Sequence, residues 1–326
     1  MNWFGQNFRL SVWGESHGEQ IGVTLDGVTH GIRLSEEDFE QDLARRRSGG
    51  VATTPRMERD QPKLMSGVYR GLTTGAPLTI VFRNEDCRSQ DYAPFQSHYR
   101  PSHADWTAQK RFEGYNDPRG GGHFSGRLTL TLTAAGVVAK KMLPSTLRFR
   151  TRIIQIGEQT DEQLFEEELR RVASQGDSLG GVIECRVTGV PAGWGEPFFD
   201  SVESKIAHLM FSIPAVKGVE FGAGFQAARM RGSQHNDPIL DAEGHTSTNH
   251  AGGILGGITS GNELVVRVAV KPTASIARQQ MTYNQASDRI ELLQIKGRHD
   301  VCIALRAQVV VEAAVAIALA DLKLMR

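Results

Sequence analysis

Disulfide scaffolds and zinc modules are excluded first. The chain carries only three cysteines, Cys87, Cys185 and Cys302. They are widely spaced and form no CxxC pair, as expected of reduced thiols in a cytoplasmic protein. Neither sign of charge dominates: Lys plus Arg number 37, Asp plus Glu 37, and the formal net charge is zero. A surface committed to nucleic acid or to a membrane needs a basic excess that is missing here. No apolar run reaches the roughly 20 residues of a transmembrane helix. The longest, Val309 to Leu322, is interrupted by Glu312 and Asp321 and reads as a buried helix. The opening MNWFGQNFRLSVWG lacks the basic-then-apolar plan of a secretory signal. With no internal repeat, low-complexity tract or linker, a single domain over residues 1–326 is expected.

What is present is a soluble-protein balance, 40% hydrophobic and 23% charged. Phe8, Leu10 and Val12 alternate, as do Ile21, Val23 and Leu25, the period of half-buried strands. Ser35 followed by Glu36, Glu37 and Asp38 opens a helix that ends in Arg45, Arg46 and Arg47. Further strands are expected within Val68–Phe82 and at Thr151–Ile156, Val182–Val190 and Leu264–Val270. Helices are expected from near Ser102 and at Gly126–Leu143, Asp161–Ala173, Val202–Phe211 and Leu305–Leu324. Residues 231–252 and 283–300 read as polar loops. Strands and helices do not alternate regularly, so the fold class is α+β rather than a doubly wound sheet.

The loops carry the chemistry. Gly14-Glu15-Ser16-His17-Gly18 places a hydroxyl, a carboxylate and an imidazole side by side. It reads either as a proton-donating site or as a turn with a satisfied surface histidine. Arg45, Arg46 and Arg47, with Arg56, Arg59 and Lys63 after them, exceed what a helix C-terminus needs. Guanidinium forks bind phosphate and carboxylate, so an anion site competes with a solvated basic face. Arg119-Gly120-Gly121-Gly122-His123 precedes a helix in the manner of a phosphate loop. No Walker sequence or GxGxxG follows a strand, and a flexible turn is the alternative. In Arg100-Pro101-Ser102-His103-Ala104-Asp105, Ser102 is a candidate cap with His103 in the first turn. Lys271-Pro272-Thr273-Ala274-Ser275 and Lys296-Gly297-Arg298-His299-Asp300 each join a cation to hydroxyl or carboxylate groups.

Taken together and in order, these segments resemble the chorismate synthase family. The resemblance rests on Gly14–Gly18, Asp42–Arg47, Arg88-Ser89-Gln90-Asp91-Tyr92, Arg100–Asp105 and Arg119–Gly122. It continues through Gly189-Val190-Pro191-Ala192-Gly193, Asn249–Gly257, Lys271–Thr273 and Gly297–Asp300, and so spans nearly the whole chain. It implies helices sandwiched between antiparallel sheets and a homotetramer. It implies a trans-1,4 elimination of phosphate from 5-enolpyruvylshikimate 3-phosphate, giving chorismate, with reduced FMN and no net redox change. In such an enzyme the cofactor carries the hard chemistry and the protein supplies placement and proton management.

By the same resemblance His17 protonates the departing phosphate and His103 the reduced flavin. Asp300, with Ser16, assists removal of the C6 proton. Arg45, Arg46 and Arg127 hold substrate anions. The flavin site takes in His123, Phe124, Ser125, Pro214, Ala215, Gly256, Lys271, Pro272, Thr273, Ala274, Ser275 and Arg298. Some relatives also reduce the flavin with NADPH, and no separate reductase domain is read here. The chain departs from the family pattern at His123-Phe124, where Arg-Ser is usual, at Ser48 for proline, and at Ala52 for a basic residue. Another flavin enzyme acting on a phosphorylated small molecule, and a non-catalytic anion-binding scaffold, are the rival readings.

Overall fold

The structure is a computed structural model that describes residues 2–47, 58–87, 89–295 and 299–325. One antiparallel sheet is built from the N-terminal third: β1 (Trp3–Phe4), β2 (Arg9–Gly14), β3 (Gln20–Asp26), β4 (Lys63–Ser66) and β5 (Leu78–Arg83), in the order β1-β2-β3-β5-β4. Its central pair runs from Arg9 opposite Asp26 to Gly14 opposite Ile21. In that register Leu10, Ile21, Val23 and Leu25 are buried, as the alternation requires.

The second antiparallel sheet contains β6 (Arg148–Ile156), β7 (Gly181–Thr188), β8 (Val216–Phe221) and β9 (Leu264–Val270), in the order β8-β9-β7-β6. Between the sheets lie α1 (Glu40–Arg46), α3 (Thr129–Met142), α5 (Val202–Ser212) and the long α6 (Ala304–Lys323). The helices α2 (Asp105–Phe112) and α4 (Phe165–Ser174) flank this core. Helix α3 packs on β3 of the first sheet, α6 packs on β6 and β7 of the second, and α3 and α6 pack extensively on each other. The α+β sandwich expected from the sequence is therefore observed.

The two central helices approach closely because Gly136 has no side chain: a Cβ there would come within 2.3 Å of the Ala313 Cβ. Helix α6 is apolar and buried, and its two acids are paired inside the core. Glu312 takes both guanidinium nitrogens of Arg45, at 2.9 and 2.8 Å, and Lys140 Nζ at 2.5 Å. Asp321 accepts the backbone N–H groups of Gln6, Asn7 and Phe8 at 3.0, 2.7 and 2.9 Å, and Lys205 Nζ at 3.1 Å. A fully buried carboxylate at the end of the chain thus holds the beginning of it.

Several local readings differ. Strands β4 and β8 and the hairpin Gln280–Asn284 with Arg289–Leu293 lie where no strands were expected. The hairpin alternates apolar and polar residues, but over two short runs set among polar residues, and it turns Met281, Tyr283, Ile290 and Leu292 outward. The helix expected near Ser102 begins at Asp105, because Ser102 sits at φ 58° and cannot cap it.

Candidate active site

A cavity of about 820 Å³ opens where loops from both halves of the sandwich meet. Its walls come from β2, the loop 100–104, the glycine-rich loop 120–127, the end of α5, the loop 271–275 and the first turns of α6. Leu10, Val12, Leu132, Ile213, Ile303 and Val310 give it an apolar side. The polar side carries guanidinium, imidazole, ammonium and hydroxyl groups. Concave sites with an apolar wall and a few convergent polar groups are the usual form of a small-molecule site.

Three arginines meet at the polar end. Arg46, buried at the end of α1, donates through Nε to Thr129 Oγ1 at 3.1 Å and through Nη2 to the Gly126 carbonyl at 2.8 Å. Its Nη1 makes no hydrogen bond and lies 3.9 Å from Asp60. Burial first, and then the charges of Arg306 and Arg127, push Arg46 down to about 9, with Asp60 opposing. It remains a cation at neutral pH. Arg127 is paired with Asp60 and donates to Asn84 Oδ1 at 3.1 Å. Arg306, in the first turn of α6, donates to the Arg46 carbonyl at 2.9 Å and to Asp300 Oδ2 at 3.1 Å. Cations gathered at this density attract an anionic ligand.

Imidazoles line the same cavity or lie behind it. His103 Nδ1 lies 2.6 Å from Asp105 Oδ1. His123 Nδ1 lies 2.8 Å from the Gly14 carbonyl, which can only accept, so that nitrogen carries the proton. His299 has a buried Nε2 with no partner, and burial, with Arg100 and His103 adding to it, lowers its pKa to about 4. It is neutral at pH 7. His17 and Ser16 sit against Gly120, which does line the cavity. A Cβ at Gly120, whose φ is 61°, would lie 2.5 Å from His17 Nε2 and 3.0 Å from Ser16 Oγ. Only glycine leaves room there for the imidazole.

The residues expected around a flavin are divided. His123, Phe124, Ser125, Pro214, Ala215, Lys271, Thr273, Ala274 and Ser275 line the cavity, with Arg46, Arg127, His103 and Asp300. Pro272 and Gly256 are not among its lining residues; Gly256 belongs to the tight turn between Leu255 and Ile258. Arg45 is partly exposed and pairs with Glu312 and Asp42; it is not among the residues that line the cavity. Arg298 lies outside the described residues, as do Arg56, Arg88 and the segment 48–57 that holds Ala52.

Sequence reasoning missed Arg306, His299, Arg100 and Asp105 as site residues. Arg306 did carry a signal, since a cation in the first turn opposes the helix dipole and needs a reason to be there. His299 carried none beyond its place beside Asp300.

The residues fit an anionic flavin nucleotide. Arg46 Nη1, Thr273 Oγ1 and His299 Nε2 are buried without hydrogen-bond partners among the described residues, and all three residues line the cavity. Buried polar atoms left unpaired in the protein call for a ligand that pairs them. The facing apolar wall suits a flat ring system.

Comparisons with known proteins agree with one another. A family model described as chorismate synthase matches residues 8–324. A chorismate synthase of Chitinophaga pinensis is 55% identical over 325 residues, covering 100% of this chain and 97% of that protein. One from Korarchaeum cryptofilum is 44% identical, covering 98% and 96%. A crystal structure of chorismate synthase is similar with a TM-score of 0.75 at 28% identity, covering 99% of this chain and 93% of that one.

Proposed function

Because the chain belongs to the chorismate synthase family, we propose that it converts 5-enolpyruvylshikimate 3-phosphate to chorismate and phosphate in the cavity just described. The reaction is a carbon–oxygen lyase step: the C3–O bond to phosphate breaks and a hydrogen leaves C6 on the opposite face. Reduced FMN, when bound, supplies electron density to the breaking bond. The observation that carries the reading is the convergence of Arg46, Arg127 and Arg306 beside His103, His123, His299 and Asp300 in one cavity.

The chain's own residues divide the work. Arg46, Arg127 and Arg306 hold the phosphate and carboxylates of the substrate. His17, reached past Gly120, gives its proton to the departing phosphate oxygen. Asp300, oriented by Arg306 and helped by Ser16, assists removal of the C6 proton. His103 holds a proton at the flavin edge. Lys271, Thr273, Ala274 and Ser275, with Ser125, Pro214 and Ala215, would surround the cofactor, and His123 and Phe124 stand where arginine and serine are common in the family. Arg298 joins this set by resemblance alone. The outward side chains of Phe198, Phe199 and Phe225 support assembly into the homotetramer usual for the family. A cytoplasmic location is part of the same reading, and no described helix is long and apolar enough to cross a membrane.

The test is anaerobic phosphate release from 5-enolpyruvylshikimate 3-phosphate. Dithionite-reduced FMN is expected to support turnover and oxidised FMN is not, and a parallel arm with NADPH reads whether the enzyme reduces its own flavin. Full activity in rigorously flavin-free protein would overturn the cofactor assignment.

A further inference from the structure

His103 is gripped from one side by Arg100 and Asp105, to which sequence reasoning gave no role. Arg100 is buried and donates to Asp105 three times: Nε to Oδ2 at 2.8 Å, Nη2 to Oδ1 at 2.7 Å and its backbone N–H to Oδ2 at 3.1 Å. Its remaining arm, Nη1, donates to Ser275 Oγ at 3.2 Å, tying this cluster to the loop 271–275. Asp105 Oδ1 then lies 2.6 Å from His103 Nδ1. Burial works against ionisation of Asp105, but the hydrogen bonds and charges of Arg100 and His103 outweigh it and hold its carboxyl far below the usual range.

A carboxylate has no proton to donate, so the 2.6 Å contact requires the proton on His103 Nδ1. Arg100 Nη2 also lies 3.0 Å from that nitrogen. Nη2 has a second N–H besides the one on Asp105 at 2.7 Å, but if Nδ1 accepted it, the nitrogen's lone pair would face the carboxylate oxygen at 2.6 Å with no proton between them. Nδ1 is therefore committed. His103 lines the cavity, and its Cε1–Nε2 side is uncrowded where it meets Gly121: even a Cβ there would make only ordinary contact, 3.5 Å from Cε1 and 3.8 Å from Nε2.

We propose that Asp105 is a positioning residue that locks His103 in its Nδ1–H form and so reserves Nε2 for proton exchange with the bound ligand. Nε2 then accepts a proton when the ring is neutral and donates it when the ring is charged, with Asp105 supporting the charged ring throughout. The proton exchange rests on the reaction proposed above; the tautomer does not. Asp105→Asn separates the two. An asparagine at 105 can place its oxygen on the two donors Arg100 Nε and Arg100 N–H, or on Arg100 Nη2 and His103. The first choice leaves one donor opposing its NH2 group, and the second leaves two, one of them the fixed backbone N–H. The first therefore wins, the NH2 faces Nδ1, and the ring is forced into the Nε2–H form. That form cannot take up a second proton at Nδ1 without opposing the amide.

Long-range ¹H–¹⁵N correlation spectra of histidine-labelled protein without ligand read the tautomer directly. The native protein is expected to show His103 protonated at Nδ1, and Asp105→Asn to show it at Nε2. Turnover in the variant should fall about 10²–10⁴-fold, as for a general acid held in the wrong tautomer, with substrate affinity little changed. An Nε2–H signal in the native protein, or the same tautomer in both proteins, overturns the proposal. The native spectrum decides this even if the variant does not fold. An inverted tautomer with unchanged turnover instead overturns the role given to His103 in the reaction.

Discussion

Arg45 and Arg46 are adjacent in the sequence and face opposite ways. Arg45 closes a core network with Glu312, Asp42 and Lys140, whereas Arg46 is buried in the cavity wall with one nitrogen unpaired. Arg46→Ala is expected to weaken substrate binding by about 1.5–3 kcal/mol, the scale of a lost charged hydrogen bond. Arg45→Ala should instead lower stability by about 1–3 kcal/mol, because Glu312 keeps only Lys140. Equilibrium titration and urea unfolding on both variants separate these outcomes. Equal ligand effects would show that the two arginines share one role.

At the same scale, His299 makes the protein acid-sensitive. Its folded pKa of about 4 lies below the ordinary 6.5, so the native state binds fewer protons than the unfolded chain. Stability from this residue is complete above about pH 6.5 and is lost as the pH falls toward 4. His299→Gln should flatten that part of the profile in urea-unfolding series. An unchanged slope between pH 6.5 and 4 would place the sensitivity elsewhere.

Among the elements, α6 carries the central contacts. It packs on α3 at the Gly136–Ala313 approach, presents Glu312 to α1 and α3, and aims Arg306 at the cavity from its first turn. Burial raises the cost of ionising Glu312, but Arg45 and Lys140 more than offset it and bring its pKa down to about 2. A carboxyl depressed in this way stabilises the fold above its unfolded value near 4.5, and that stabilisation is lost as the pH drops through 2. Acid unfolding of Glu312→Gln is expected to show a shallower slope between pH 4.5 and 2. The variant should also be less stable at pH 7, since Arg45 and Lys140 lose their charged partner. Native-like acid sensitivity in the variant would mean that other carboxylates, Glu184 among its arginines for example, dominate that limb.

For the whole molecule, Asp321 decides how the chain closes. It joins α6 to the backbone of residues 6–8, across more than 310 positions, and to Lys205 of α5. Asp321→Ala strands three N–H groups and leaves the buried Lys205 ammonium with Asp200 alone, and is expected to cost about 3–5 kcal/mol. The readout is a lower urea midpoint with unchanged m. A midpoint within error of the native protein's would show that the N-terminal strands are held by apolar packing alone.

Much was readable in the residues themselves. The period of Phe8–Val12 and Ile21–Leu25, the apolar stretch after Leu305 and the alternation at Leu264–Val270 define elements that the structure contains almost as expected. Periodicity encodes which face is buried, and that is a local property. The chemistry-bearing loops were readable too, because glycines, histidines and arginines crowded into them have no packing role. The hairpin at 280–293 was not, since its alternating runs are short, lie among polar residues and turn their apolar side chains outward rather than into a core. Nor was the choice between Arg45 and Arg46, the pairing of Arg306 with Asp300, or the turn that keeps Gly256 out of the cavity lining. Those depend on the rotation of one helix against another and on contacts between residues as far apart as Arg46 and Arg306. The sequence by itself determined the elements and the kinds of group in the loops. Only the tertiary structure decided which of those groups meet, because side chains distant along the chain are brought within hydrogen-bonding reach by packing and not by local preference.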